Sequence, residues 1–382
     1  MIVSNFTKFI LLVSICLGVV LLWKEYTLKN QLAFSENLLA FEDTATALSS
    51  SNDSDRWLVA DSFSRYFRDL VTLRSNQRQE STCDEQFIKA KQSSTAIAES
   101  IWGRQLEAQI YPIPRQSPLA HTHAHNDYEH EHPLFDALSF GFVSVEADIW
   151  LYPHDNGNLR VAHHFAFDPT KLPTLKELYL DPLKELKEKC DCNGIYPDGT
   201  PLILLVDIKS IGRTTYEKLD RVLAGYQVES PNLFTTFTQD TYGNYRVEPG
   251  AVTVIISGHR PKNFMASQKL RYADYDGRKR DLRSGDNPDF MPSISDDWNR
   301  FFINNFAWDG TGTIPSRTKE KLSETIGQVR RQGKVLRLWN LPQDTPNVWQ
   351  ILYEAGVDWI NTDDLRGLAS WIESQCSQKK IE

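Results

Sequence analysis

Residues 119–164 read LAHTHAHNDYEHEHPLFDALSFGFVSVEADIWLYPHDNGNLRVAHH and hold eight of the nine histidines of the 382-residue chain. Glu146 and Asp148 stand two apart in the apolar run VSVEADIW. On a strand, side chains two apart point the same way, so the two carboxylates share a face. Histidines beside closely spaced carboxylates are the raw material of metal-assisted acid–base chemistry. The plainer reading is a histidine-rich surface loop. The stretch follows a strand pattern instead of a low-complexity one, which favours the chemical reading.

Outward from this stretch, strands and helices alternate from Pro118 on. Strands are expected at 119–123, 143–150, 159–163, 202–208, 251–257, 291–295, 335–340 and 358–362. Helical patterns such as PTLKELYLDPLKELKEK and SRTKEKLSETIGQVRRQGK lie between them. Thr174-Leu-Lys-Glu177 has the form of a capping box, and Gly333 and Gly356 stand where helices should end. Eight strands with intervening helices over 118–377 predict an α/β fold, a (β/α)8 TIM-type barrel. No G-x-G-x-x-G or P-loop joins a strand to a helix, which argues against a nucleotide-binding doubly wound sheet.

Barrel chemistry sits at the C-terminal strand ends. His121, His123 and His125 end the first expected strand, Glu146 and Asp148 lie in the second, and His163 and His164 end the third. Asp207 and Lys209 end the fourth, Trp339 and Asn340 the seventh, and Asn361 to Asp364 the last. Glu146, Asp148 and Asp207 together suit a hard divalent cation, Mg²⁺ or Ca²⁺.

Before the barrel, Phe9–Trp23 is an apolar run, FILLVSICLGVVLLW, with lysines on both sides. It is short for a spanning helix and predicts that residues 1–23 are a signal peptide or a signal anchor. The expected location is therefore the secretory pathway, secreted or single-pass, with the barrel on the non-cytoplasmic side. The sequon Asn52-Asp53-Ser54 fits that location. Residues 24–117 read as a helical stalk or extension. A net charge of −8 without a basic stripe argues against nucleic-acid binding. Five scattered cysteines do not describe a disulfide framework, though an oxidising compartment leaves room for one or two bridges.

Several motifs, in order, resemble the phospholipase-C-like phosphodiesterase superfamily. That group contains glycerophosphodiester phosphodiesterases, phosphatidylinositol-specific phospholipases C and sphingomyelinase D toxins, all barrels. The matching residues are His125-Asn126, Glu146-Ala147-Asp148, Val161-Ala162-His163, Asp207-Ile208-Lys209, Trp339 and Gly356-Val357-Asp358…Thr362-Asp363. In wording, His123–Tyr128, Glu146–Trp150 and Asp207–Ser210 are most similar to the altered inheritance of mitochondria protein 6 family. Three positions depart from the glycerophosphodiesterase pattern. Asn126 stands for Arg, Asp207 for Glu, and His164 for Asp.

The resemblance implies a metal-dependent phosphodiester hydrolase acting on glycerophosphodiesters or phospholipid headgroups. Glu146, Asp148 and Asp207 would hold the metal, and His125 and His163 would be the acid–base pair, in either assignment. Lys209 would face the phosphate, Asn126 would join the metal shell or hold a phosphate oxygen, and Trp339 would wall the pocket or belong to the ordinary barrel core. Two rivals stand beside it. A membrane-tethered barrel could bind lipid headgroups or a partner without catalysis. An amidohydrolase-type metal site could start from His121-Thr-His123, with Asp363 as its acid, but only His259 follows His164 to complete the histidine set. His121 and His123 are expected in strand packing or behind the site, and His130, His132 and His154 in solvated turns.

Overall fold

The computed structural model describes residues 117–190, 194–241, 243–302 and 308–378. The apolar leader, the sequon, almost all of the 24–117 extension and the side chains of the five cysteines lie outside these residues. Among the described residues, no helix is long and apolar enough to cross a membrane.

In chain order the strands are β1 (Thr122–Ala124), β2 (Ser144–Leu151), β3 (Leu159–Val161), β4 (Leu202–Ile208), β5 (Thr236–Gln239) and β6 (Tyr245–Glu248). They continue with β7 (Val252–Gly258), β8 (Leu270–Arg271), β9 (Asp274–Gly277), β10 (Ser293–Asp297), β11 (Val335–Trp339) and β12 (Trp359–Thr362). Strands β1, β2, β4, β7, β9, β10, β11 and β12 pair in parallel in that order, and β12 pairs back to β1. The result is a closed parallel barrel of the TIM type. The helices that follow its strands are α1 (Phe135–Ser139), α2 (Asp181–Cys190), α3 (Gly212–Glu229), α4 (Lys262–Ser267), α5 (Trp298–Phe301), α6 (Ser316–Arg331), α7 (Pro346–Ala355) and α8 (Leu365–Gln378).

Two strands differ from expectation. Residues 159–161 are not a barrel stave. Strand β3 runs antiparallel on β2, with Val161 opposite Ile149, and forms a hairpin beside the barrel. The stave that replaces it in the count is β9, whose sequence DYDG offers no apolar alternation. Asp207 and Lys209 therefore end the third stave, and His163 follows a hairpin strand. Strands β5, β6 and β8 form a separate small antiparallel sheet. The helix ends are as read. Thr174 and Glu177 bond reciprocally, and Gly356 closes α7 at φ 85°.

Alternation along the staves separates two environments. Val145, Ala147, Ile149, Leu204, Val206, Ile208, Val254 and Ile256 face out into the main core under the helices. The inward partners are Glu146 and Asp148 on β2, Leu205 and Asp207 on β4, and Ile255 and Ser257 on β7. Inside the barrel only Leu205, Ile255 and Trp359, with Ile203 and Val335 against them, form a small apolar cluster. The rest of the lumen is polar. Asp276 accepts hydrogen bonds from Ser257, Ser293 and Ser295 and pairs with Arg278 at 2.7 Å.

One buried acid outside the lumen ties the first loop down. Asp127 Oδ2 accepts from Leu134 N at 2.6 Å and Tyr179 Oη at 2.8 Å, while Oδ1 has no hydrogen-bond partner. Burial pushes its pKa up to about 7, against the pull of those two bonds. A folded pKa raised above the unfolded value means that the native state binds the proton more tightly. The associated stability is complete below pH ~4 and is lost as pH rises through about 7. The melting temperature should therefore fall by a few degrees between pH 5.5 and 8, and Asp127→Asn should flatten that fall. Identical pH profiles for the two proteins would remove Asp127 as the cause.

Candidate active site

Strands β2 and β4 lie in a register that sets Asp148 directly beside Asp207. Glu146, two residues earlier on the same face of β2, completes a cluster. One oxygen from each of Glu146, Asp148 and Asp207 lies within 4.8 Å of the others. It is the one group of three or more potential metal-ligating side chains among the described residues. Gly258, at φ 67°, leaves room for it, because a Cβ there would come within 2.2 Å of Asp207 Oδ1.

Three acids this close repel one another, and the surrounding groups show how that is managed. Arg337 Nη2 donates to Glu146 Oε2 at 2.6 Å inside the barrel, and its Nε donates to Asn361 Oδ1. Burial alone would push Glu146 up. The Arg337 charge, helped by His123 and His125, outweighs it and holds Glu146 well below the usual carboxylate range. Asp148 goes the other way. Its burial, with the charges of Glu146 and Asp207, raises it against the pull of Lys209 and the Tyr128 hydroxyl. Lys209 Nζ bridges Asp148 Oδ2 at 3.0 Å and Asp207 Oδ1 at 3.2 Å.

A divalent cation fits this donor set. Asp148 Oδ1 is buried without a hydrogen-bond partner, and the raised Asp148 marks a local shortage of positive charge. Three carboxylates are the hard oxygen ligands that Mg²⁺ or Ca²⁺ prefers.

The two histidines expected to be catalytic stand at the rim in matching arrangements. His125 Nδ1 meets Asp363 Oδ1 at 2.8 Å, and its Nε2 lies 3.9 Å from Glu146 Oε2. Burial lowers His125, but the bond to Asp363 and the Glu146 charge outweigh it and raise the ring overall. His163 Nδ1 meets Asp148 Oδ2 at 3.1 Å and the Tyr128 hydroxyl at 3.0 Å. With a carboxylate on Nδ1, each ring carries its Nδ1 proton there and presents Nε2 as the exchanging nitrogen. Tyr128 also donates to Asp148 Oδ2 at 2.7 Å and lies 3.0 Å from Asn126 Oδ1, so Asn126 reaches the cluster through Tyr128. Trp339 lines a cleft with Asp207 and Lys209.

All eight residues read as site candidates thus gather at one barrel mouth. Of the other histidines, His164 packs edge-on against His163 at 4.5 Å, His259 lines the cleft beside Asp207 and Lys209, and His121 and His123 lie behind the site. His123 is buried between Ser144 Oγ at 2.7 Å and Glu146, and burial pushes it down to about 3, so it is neutral. His121 bonds Val357 O and packs its edge on Tyr353. No histidine joins the carboxylate cluster as a ligand among the described residues, contrary to what an amidohydrolase-type site needs. Sequence reading gave no role to Arg337, Tyr128 or Gly258, and it set Asp363 at the end of the last strand, in the superfamily motif and in the rival site without pairing it with His125. Arg337 had one signal, a lone cation in the apolar strand VLRLW.

Glu146 and Arg337 are each almost fully buried, so removing one partner strands the other. Arg337→Met should destabilise the barrel by about 3–5 kcal/mol in denaturant unfolding. A loss below about 1 kcal/mol would mean that Glu146 does not depend on this cation.

Residues 112–276 match the family profile of the AIM6-like phosphodiesterase domain. The matched span takes in His125, Glu146, Asp148, His163, Asp207 and Lys209 and ends within β9. "Altered inheritance of mitochondria protein 6" of Eremothecium gossypii is 27% identical over 292 residues, 69% of this chain and 73% of that protein. Its counterpart from Lachancea thermotolerans is 27% identical over 283 residues, 64% and 63% of the two chains. A solved glycerophosphodiester phosphodiesterase from Parabacteroides distasonis aligns with 68% of this chain and 99% of its own, at 12% identity and a TM-score of 0.41. The motif resemblance in the sequence and the profile match point to the same family: over residues 112–276 the chain is similar to the AIM6-like phosphodiesterase domain.

Proposed function

We propose that the chain is a metal-dependent phosphodiester hydrolase acting on glycerophosphodiesters or phospholipid headgroups. One observation carries the reading. Two histidines, each with Nδ1 against an aspartate, flank a three-carboxylate cluster at the C-terminal ends of barrel strands.

Glu146, Asp148 and Asp207 would hold Mg²⁺ or Ca²⁺. Such an ion neutralises phosphate charge and stabilises the charge that develops on the oxygens. The protein's own groups handle the protons. One Nε2 accepts the proton of the attacking water or substrate hydroxyl. The other donates a proton to the departing alkoxide as the P–O bond breaks. Asp363 and Asp148 fix the tautomer and aim of each ring, and Asp148 also stabilises the imidazolium of His163 while it carries the extra proton. Lys209 adds positive charge beside the phosphate, and Asn126 and Tyr128 buttress His163 and Asp148. Trp339 gives the cleft an apolar wall.

The rim favours an amphiphilic substrate. Phe165 and Phe167, two and four residues after His163, are 57% and 98% exposed. They continue an aromatic row from Trp150 and Tyr152. Exposed phenylalanines beside a site are expected where the protein meets lipid. With the apolar leader as a tether, membrane contact and a location in the secretory pathway belong to the same proposal.

The test is alcohol or phosphate release from a panel of glycerophosphodiesters, lysophospholipids and phospholipid vesicles, with Mg²⁺ or Ca²⁺. His163→Ala should lower turnover by about 10²–10⁴-fold with metal binding near normal. Glu146→Ala should lose both turnover and metal binding. Wild-type rates in the His163 variant, on a substrate the wild type hydrolyses, would sink the assignment. Silence of the wild type across the panel would favour a lipid-binding barrel without catalysis.

A further inference from the structure

Beside the carboxylate cluster, toward the ends of β4, β7, β9 and β10, lies a cleft of about 620 Å³. It shares Asp207 and Lys209 with the cluster and, apart from Trp150 on β2, is otherwise lined by later residues. Five cations, Lys209, Arg260, Arg278, Arg280 and Arg300, face two carboxylates, Asp207 and Asp296. In a chain of net charge −8 this is a marked local reversal of sign.

Most of the opposing charge is already committed. Asp207 is bridged by Lys209, and Asp296 accepts from the backbone N–H groups of Lys279 and Asp297. Arg278 is neutralised by buried Asp276. Arg260, Arg280 and Arg300 have no carboxylate within ion-pair distance among the described residues. Arg260 is held in place, with its guanidinium 4.9 Å from the Tyr275 ring centre and Nη1 bonded to Gly258 O, yet its buried Nε has no partner. Arg280 and Arg300 are exposed at the mouth of the cleft.

Converging cations without carboxylate partners cost electrostatic self-energy, and a bound anion relieves it. Guanidinium forks match phosphate oxygens in pairs of hydrogen bonds. A phosphodiester carries one negative charge, and Lys209 with a cation on the three acids already answers it. The three arginines are surplus to that need.

We propose that this cleft is a second anion subsite, so that the favoured substrate is a phosphodiester whose alcohol also bears a phosphomonoester. The inference rests on the phosphodiesterase reading and narrows its substrate class. The shared residues Asp207 and Lys209 place the two phosphates in adjoining compartments, as one small headgroup would require. A cleft of about 620 Å³ has the size of a small-molecule site.

The test compares kcat/KM for glycerophosphoglycerol and for the same diester carrying a terminal phosphate, using the full chain. The wild type should prefer the phosphorylated diester at least tenfold. Arg280→Gln/Arg300→Gln should bring the ratio below about threefold, whereas Arg246→Gln/Lys269→Gln, an equal charge loss elsewhere, should keep it. Vesicles carrying the diacyl form of each headgroup separate a lipid-borne from a soluble source, and preference in either arm supports the subsite. Calorimetric binding of inorganic phosphate provides a readout independent of turnover and should weaken at least tenfold in the Arg280/Arg300 variant. If the wild type hydrolyses both diesters equally, the subsite is overturned and the phosphodiesterase reading stands. If neither is hydrolysed but phosphate binding depends on Arg280 and Arg300, the subsite stands and the hydrolase reading is weakened. Phosphate binding that ignores both arginines overturns the subsite.

Discussion

The Arg337–Glu146 pair is the constraint on which the barrel interior depends. It joins β11 to β2 across the lumen and links residues 191 positions apart in sequence. Neither partner would be tolerated alone, since an isolated buried charge costs several kcal/mol. Together they let a carboxylate stay ionised inside the barrel. Glu146 is held low, and its negative charge then raises Asp148 on the same strand face. A pair that looks structural therefore sets the electrostatics of the carboxylate cluster. Without Arg337, Glu146 would tend to take up a proton, and the demand for a cation at Asp148 and Asp207 would fall.

A lumen filled with ion pairs and serine hydroxyls provides little hydrophobic stabilisation of its own. Only Leu205, Ile255 and Trp359 form an apolar cluster there. The stability must come from the outer shell, where the alternate residues of the same strands pack under the helices. This division explains how one strand can read VSVEADIW. Its odd and even positions serve different layers, and the polar face is free to carry chemistry because the apolar face already fastens the strand.

That division also decides what could be read from sequence. The outer face leaves a periodic apolar signal, so the barrel and most of its staves were legible. Strand β9 was not, because Asp276 belongs to a hydrogen-bonded group with Ser257, Ser293 and Ser295, and DYDG shows no hydrophobic rhythm. The segment 159–161 shows such a rhythm, but local alternation cannot tell an antiparallel hairpin from a parallel stave. At the site, the residues carrying short motifs, Glu146, Asp148, Asp207, His125 and His163, were visible. Arg337 and the arginines of the cleft had no motif. Arg260, the Arg278-Lys279-Arg280 run and Arg300 stand on three separate segments after β7, β9 and β10, and only closure of the barrel gives them a shared purpose.

The mouth is thereby split by sign. The front staves bring acids together, and the loops after β7, β9 and β10 bring cations together. Lys209 stands at the seam, touching Asp148 and Asp207 on one side and lining the cleft on the other. A lysine suits that place better than an arginine would. Its charge is compact, and its flexible stem can hold a position between two acids without the fixed planar geometry of a guanidinium. Any cation shared by the three carboxylates must divide Asp148 and Asp207 with this ammonium. Lys209 also lines the cleft where Arg260, Arg280 and Arg300 gather without carboxylates of their own. The two halves of the mouth are therefore coupled through one side chain, and the charge state of the acidic half bears on how strongly the basic half attracts an anion.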